Sequence, residues 1–203
     1  MNIVLLGDSI FDNASYVGDY ESVSDLIKRS DLNADVCLLA VDGDVTTDVY
    51  KQLERFPQSS DYVFVSCGGN DALRSISILE EKASNVGSAL DILYKAKEGF
   101  RLNYVGMLEA ILKKHEKVAV CTIYSKVPGL SQSACTALAL FNEVILEELT
   151  TRNLPIIDLR VVFNNEQDYS TVSPIEPSKL GGEKIVTRIS NVINNGFLSK
   201  VYV

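Results

Sequence analysis

The stretch Ile3-Val4-Leu5-Leu6-Gly7-Asp8-Ser9-Ile10 decides how the rest of the chain is read. Four apolar residues without polar alternation are the pattern of a strand buried on both faces, as in a parallel sheet with helices above and below. A glycine then permits a sharp turn, and an acid and a hydroxyl follow at the carboxyl end of the strand. Further runs of strand length and the same character lie downstream: Val36 to Val41, Tyr62 to Cys67, Val118 to Tyr124 and Pro155 to Leu159. Between them apolar residues recur at helical spacing, as in Leu102, Val105, Leu108 and Leu112, in Ala134, Leu138, Phe141 and Ile145, and in Ile185, Ile189 and Val192. This alternation, with right-handed crossovers, predicts a three-layer, doubly wound α/β fold with a five-stranded, mainly parallel sheet. The segment from Asp71 to Leu102 reads as helical with a break near Gly87 or Gly99, and is a candidate lid.

At 203 residues the chain fits a single domain spanning 1–203. Surface scaling lets a protein of 22.3 kDa bury about 70% of its unfolded surface. With 46% hydrophobic and 23% charged residues the composition is that of a globular protein, neither disordered nor fibrous. No apolar run approaches the roughly 18 residues of a membrane span. The balance of 19 basic against 27 acidic residues gives a net charge of -8, and the basic residues are scattered, which argues against nucleic acid as a partner. Cys37, Cys67, Cys121 and Cys135 show no Cys-x-x-Cys spacing and read as reduced, structural residues. The apolar run ending at Gly7 is too short for a signal peptide, so the expected location is the cytoplasm, with no membrane partner.

Chemistry is expected where the strands end, because ligands of doubly wound sheets bind outside the carboxyl edge. Gly7-Asp8-Ser9-Ile10 follows the first run, Asp42-Gly43-Asp44-Val45-Thr46-Thr47 the second, and Gly68-Gly69-Asn70-Asp71 the third. Each alone is an ordinary turn or helix cap. Together they bring a hydroxyl nucleophile, a glycine N–H open to close approach and an asparagine amide to one edge, which are the parts acyl transfer needs.

In these blocks the sequence resembles the SGNH, or GDSL, hydrolase family, whose fold is flavodoxin-like. Gly7-Asp8-Ser9-Ile10 is similar to its first block, Gly43 to its second, and Gly68-Gly69-Asn70-Asp71 to its third. The resemblance implies that Ser9 is the nucleophile and that the Ser9 and Gly43 N–H groups and the Asn70 amide form an oxyanion hole. It also implies a small-molecule ester or acyl substrate and no metal or organic cofactor. Members of the family are esterases, lipases, thioesterases and carbohydrate acetyl-esterases.

The last block departs from the family pattern. Where the family has Asp-x-x-His followed by Pro and a helix, this chain reads Ser173-Pro174-Ile175-Glu176-Pro177-Ser178. Pro177, the N-cap candidate Ser178, Gly181, Gly182 and the apolar helix from Ile185 fix the register, so Glu176 stands in the histidine position and Ser173 in the aspartate position. His115, the only histidine, lies three residues before Val118 and so belongs at the amino edge of the sheet. A strand separates it from Ser9 by roughly 20 Å, beyond the reach of a base. Glu176 is therefore the candidate base. An ordinary Glu at pKa ≈ 4.3 is weaker than His at ≈ 6.5, a gap worth up to about 3 kcal/mol that burial beside Ile175 and two prolines partly removes. The plain alternative is that Glu176 caps the last helix or binds a backbone amide. Asp8, Asp71 and Ser173 are candidate substrate contacts, with Asp8 and Asp71 equally readable as turn acids; Asp158 and Asp168 rank below Glu176 as orienting acids. Two functions remain open: an atypical serine ester hydrolase with an altered acid-base partner, or a non-catalytic descendant that binds an anionic, acyl or sugar ligand. A protein that uses only the fold for interaction ranks third, because Ser9, Gly43 and Asn70 all stand in place.

Overall fold

The computed structural model describes all 203 residues. Six parallel strands, β1 (Asn2–Gly7), β2 (Asp35–Leu38), β3 (Tyr62–Ser66), β4 (Val118–Cys121), β5 (Ile156–Ile157) and β6 (Val201–Tyr202), form one sheet in the order β2-β1-β3-β4-β5-β6. Helices α1 (Val23–Arg29), α2 (Val49–Glu54), α3 (Gly69–Arg74), α4 (Val86–Leu112), α5 (Gln132–Thr151), α6 (Leu159–Val162) and α7 (Lys179–Asn194) fill the crossovers. A 3-10 turn at Ile76–Glu80 lies between α3 and α4.

Strand residues alternate between two cores, as the period of two requires. Ile3, Leu5, Phe64 and Ala119 face Val23 and Ile27 of α1 and Ile185, Ile189 and Val192 of α7. Val4, Leu6, Val63, Val65 and Val120 face α2, α4 and α5 on the other side. Unbroken apolar runs thus arise because both strand faces are covered, and this is the three-layer architecture expected of the sequence.

The structure corrects three details. The sheet has six strands rather than five: β6 adds only Val201 and Tyr202 beside β5, too short a piece to give a periodic signal. The second run stops being a regular strand at Leu38, because Leu39 and Ala40 both donate to the Leu5 carbonyl, each at 2.9 Å, and bulge the edge before Val41 rejoins at Gly7. The third concerns α4, which passes unbroken through Gly87 and Gly99; the interruption falls before it, where the Asn85 side chain accepts from Ser88 N and caps the helix. The buried stripe of α4 runs through Phe100, Tyr104, Met107, Leu108 and Ile111, while Leu102, expected on the inner face, is 76% exposed. The expected faces of α5 and α7 are the buried ones.

Candidate active site

The site begins at Gly7, whose φ of +118° closes β1. A Cβ there would stand 1.8 Å from the Ser66 carbonyl oxygen, so only glycine lets β1 and β3 run side by side into the turn. Asp8 N donates to that same carbonyl at 2.9 Å, and Phe11 N and Asp12 N donate to Asp8 O, winding residues 8–12 into one helical turn. Ser9 sits in this turn with its N–H unpaired by any protein acceptor. From below, the buried side chain of Gln52 holds Gly7 on both sides: Gly7 N donates to Oε1 at 2.9 Å and Nε2 donates to Gly7 O at 2.7 Å.

Beside it, the loop after β2 carries Gly43 at φ +83°, exposed and with its N–H unpaired. Side chains of α3 and its flank fix this loop. Asn70 Nδ2 donates one hydrogen to Asp44 O at 3.0 Å, Arg74 Nη2 donates to Gly43 O at 3.1 Å, and the Asp71 carboxylate accepts from Thr46 N at 3.1 Å and Thr46 Oγ1 at 2.7 Å. Gln52 Nε2 also donates to Asp44 Oδ2 at 2.8 Å, so one glutamine ties the Ser9 turn to the Gly43 loop.

From the far end of the chain comes Glu176. Its N–H closes a turn on Ser173 O at 3.1 Å, and its carbonyl accepts from Ser170 N at 2.8 Å. The Tyr124 hydroxyl donates to the Ile175 carbonyl, and Asn13 Nδ2 donates to Pro177 O at 3.2 Å. Held this way, Glu176 is only 3% exposed, and its Oε1 accepts the Ser9 hydroxyl at 2.9 Å. Its Oε2 is buried without a protein partner. Burial pushes the Glu176 carboxyl up to about 7, against the opposing effect of the Ser9 hydrogen bond and with help from the nearby Asp42 charge. A carboxylate so placed can take the serine proton near neutral pH.

Asp8, Ser9, Asn70 and Glu176 line one cavity of about 100 Å³, and 16 of its 23 lining residues are hydrophobic. Asp8 is 3% exposed, accepts from Ile10 N through Oδ1, and is pushed well above the carboxylate range by burial and by the neighbouring Glu176 and Asp71. Two of the expected substrate contacts are not brought to the cavity. Asp71 is turned to Thr46, and Ser173 contributes its carbonyl to the Glu176 turn, with no side-chain hydrogen bond to Glu176. Gly43 stands beside the cavity rather than among its lining residues. Asp158 accepts from Thr122 and is paired with Arg160 at 2.6 Å, while Asp168 is paired with Lys184 at 2.7 Å. Both serve the fold. His115 is at the amino edge as expected, Nε2 lying 3.0 Å from Ser60 O just ahead of β3. All four cysteines are free, and no group of His, Cys, Asp or Glu is arranged to hold a metal ion. No helix is long and apolar enough to cross a membrane.

Sequence reasoning missed Gln52 and Tyr124. Gln52 left a trace, a polar residue in the apolar stripe of Val49 and Leu53 on α2. Tyr124 left none, since its part depends on a loop that arrives 51 residues later.

No curated protein matches the chain. Among solved structures, similar ones include a lipase from a goat rumen metagenome (23% identity, TM-score 0.70, covering 94% of this chain and 96% of that one). An extracellular lipase from Streptomyces rimosus is 20% identical at TM-score 0.69 over 96% of this chain and 99% of that one. A lipolytic protein of the G-D-S-L family from Veillonella parvula is 15% identical at TM-score 0.71 over 96% and 98%. These likenesses establish the fold. The model of the GDSL-like Lipase/Acylhydrolase family matches residues 5–181, from the first strand into the last helix, and the chain belongs to that family.

Proposed function

We propose that the protein is a serine ester hydrolase in which Glu176 replaces histidine as the acid-base partner of Ser9. The observation that carries this reading is the 2.9 Å hydrogen bond from Ser9 Oγ to a Glu176 carboxyl whose pKa stands near 7. A base is most effective when its pKa is near the working pH, and burial has removed most of the handicap of a carboxylate. In the first half-reaction the Ser9 proton passes to Glu176 Oε1 as Oγ attacks the ester carbonyl carbon. The oxyanion is received by the free N–H groups of Ser9 and Gly43 and by the Asn70 amide, which keeps one hydrogen after serving Asp44. Collapse expels the alcohol, which takes the proton from Glu176. Water then repeats the sequence on the acyl-serine: it gives its proton to Glu176, releases the carboxylic acid and returns the proton to Ser9.

The matched family and the lipases among the similar structures support hydrolysis of carboxylic esters. Asp8 is the remaining candidate substrate contact. Because the site joins residue 9 to residue 176, the whole chain is proposed to act as one domain, and the free thiols favour a reducing compartment such as the cytoplasm. Non-catalytic capture of an anion fits less well, because the cavity is lined by two carboxyl groups and no basic side chain. A fluorophosphonate probe tests the reading: it is expected to label the parent protein and not Ser9→Ala, whereas equal labelling of both, or none, overturns it.

A further inference from the structure

The cavity extends from Ser9 and Glu176 between two elements that are not part of the sheet. The 3-10 turn contributes Ile76, Ile78 and Leu79, and the first turns of α5 contribute Ala134, Ala137 and Leu138. Both alanines line the space, and a larger side chain at either position would take up part of it. The only carboxyl or basic side chains on the wall are Asp8 and Glu176, and both carry an oxygen without a protein hydrogen bond. Asp42, Asp44 and Asp71 stand close by, and Arg74, on the helix that carries Asn70, is turned to the Gly43 carbonyl. A carboxylate or phosphate entering here would meet acids and no cation, and its lost hydration would go uncompensated.

We propose that the cleft takes an uncharged, apolar acyl chain of several carbons and rejects anionic acyl groups, with Ala137 and Leu79 setting the length accepted. The chain lies on the acyl side because the leaving alcohol must depart past Glu176 and be replaced by water, whereas the acyl group stays bonded to Ser9 while the intermediate lasts. The enclosed apolar space therefore belongs to the group that stays. This inference rests on Ser9 being the nucleophile.

The test compares p-nitrophenyl acetate, butyrate, hexanoate and octanoate with mono-p-nitrophenyl succinate, so that the leaving group is constant. Each methylene that enters the cavity should raise kcat/KM by about fourfold until the space is filled. Hexanoate is thus expected at least about tenfold above acetate, and succinate at least about tenfold below butyrate. Ala137→Phe should lower hexanoate at least about tenfold more than it lowers acetate, and Leu79→Ala, at a half-exposed position that puts folding at little risk, should raise octanoate relative to hexanoate about threefold. Acetate cleaved as well as hexanoate, or succinate as well as butyrate, by protein that labels at Ser9 overturns this inference alone. Absence of both labelling and turnover overturns it together with the reading of Ser9.

Discussion

At the scale of single residues the site turns on Gly7, Ser9 and Glu176. Gly7 has no substitute: Gly7→Ala drives a methyl into the Ser66 carbonyl at a φ that L side chains rarely adopt, and we expect a loss of at least about 3 kcal/mol in denaturant unfolding. Asn70 tests the oxyanion reading, since Asn70→Ala removes one donor and should lower kcat about 100-fold with KM little changed. An unchanged kcat would give that role to the backbone alone. Ser9, Gly43 and Asn70 were legible in the sequence because each sits within four residues of an apolar run, so the local chain already says which edge of the sheet it reaches. Glu176 was legible only through the register set by Pro177 and the helix behind it. Its role as base of Ser9 followed from that register, but the way its turn is held was not legible, since local bonds to Ser173 and Ser170 are only part of it. Besides Ser170 in the same loop, that turn depends on Tyr124 and Asn13, two contacts from other parts of the chain.

At the scale of elements, Gln52 is where α2 meets two strand-end loops. Replacing it by Leu keeps the volume but leaves Gly7 N and Asp44 Oδ2 without their partner and Gly7 O with Val41 N alone. Three lost hydrogen bonds should cost about 2 to 4 kcal/mol of stability. If Gln52 positions the Ser9 turn against the Gly43 loop, kcat should fall at least about tenfold in the folded variant while KM changes little; an unaltered kcat would leave it a purely structural group. Strands and long helices could be read from periodicity, whereas β6 and the break before α4 could not. A two-residue strand has no period, and a helix passes through Gly87 and Gly99 when tertiary packing outweighs the roughly 1 kcal/mol that each glycine costs. The misplaced face of α4 has a similar origin. Leu102 is as apolar as Leu108, and the way α4 seats against the sheet, α2 and α5 determines which of them is covered.

At the scale of the whole molecule, the pairing of residue 9 with residue 176 links chemistry to global stability. Glu176 has its carboxyl raised in the folded state from 4.5 to about 7, so between those values the native protein holds a proton that the unfolded chain has released. Its contribution is therefore present below about pH 4.5 and is lost as pH rises through about 7. The loss is at most about 3 kcal/mol, and less where cleft water screens the carboxylate. Glu176→Gln should remove this slope from urea unfolding measured between pH 5 and 8, and a slope identical to the parent's would place the proton elsewhere. The same ionisation governs turnover. The most direct measurement is kcat/KM for p-nitrophenyl butyrate against pH, in the parent and in Glu176→Gln. With Glu176 as the base, the parent rate rises through a single ionisation near pH 7 and the variant loses both that limb and most of the rate; a parent profile flat from pH 5 to 8, or a variant that keeps the same limb, contradicts the account.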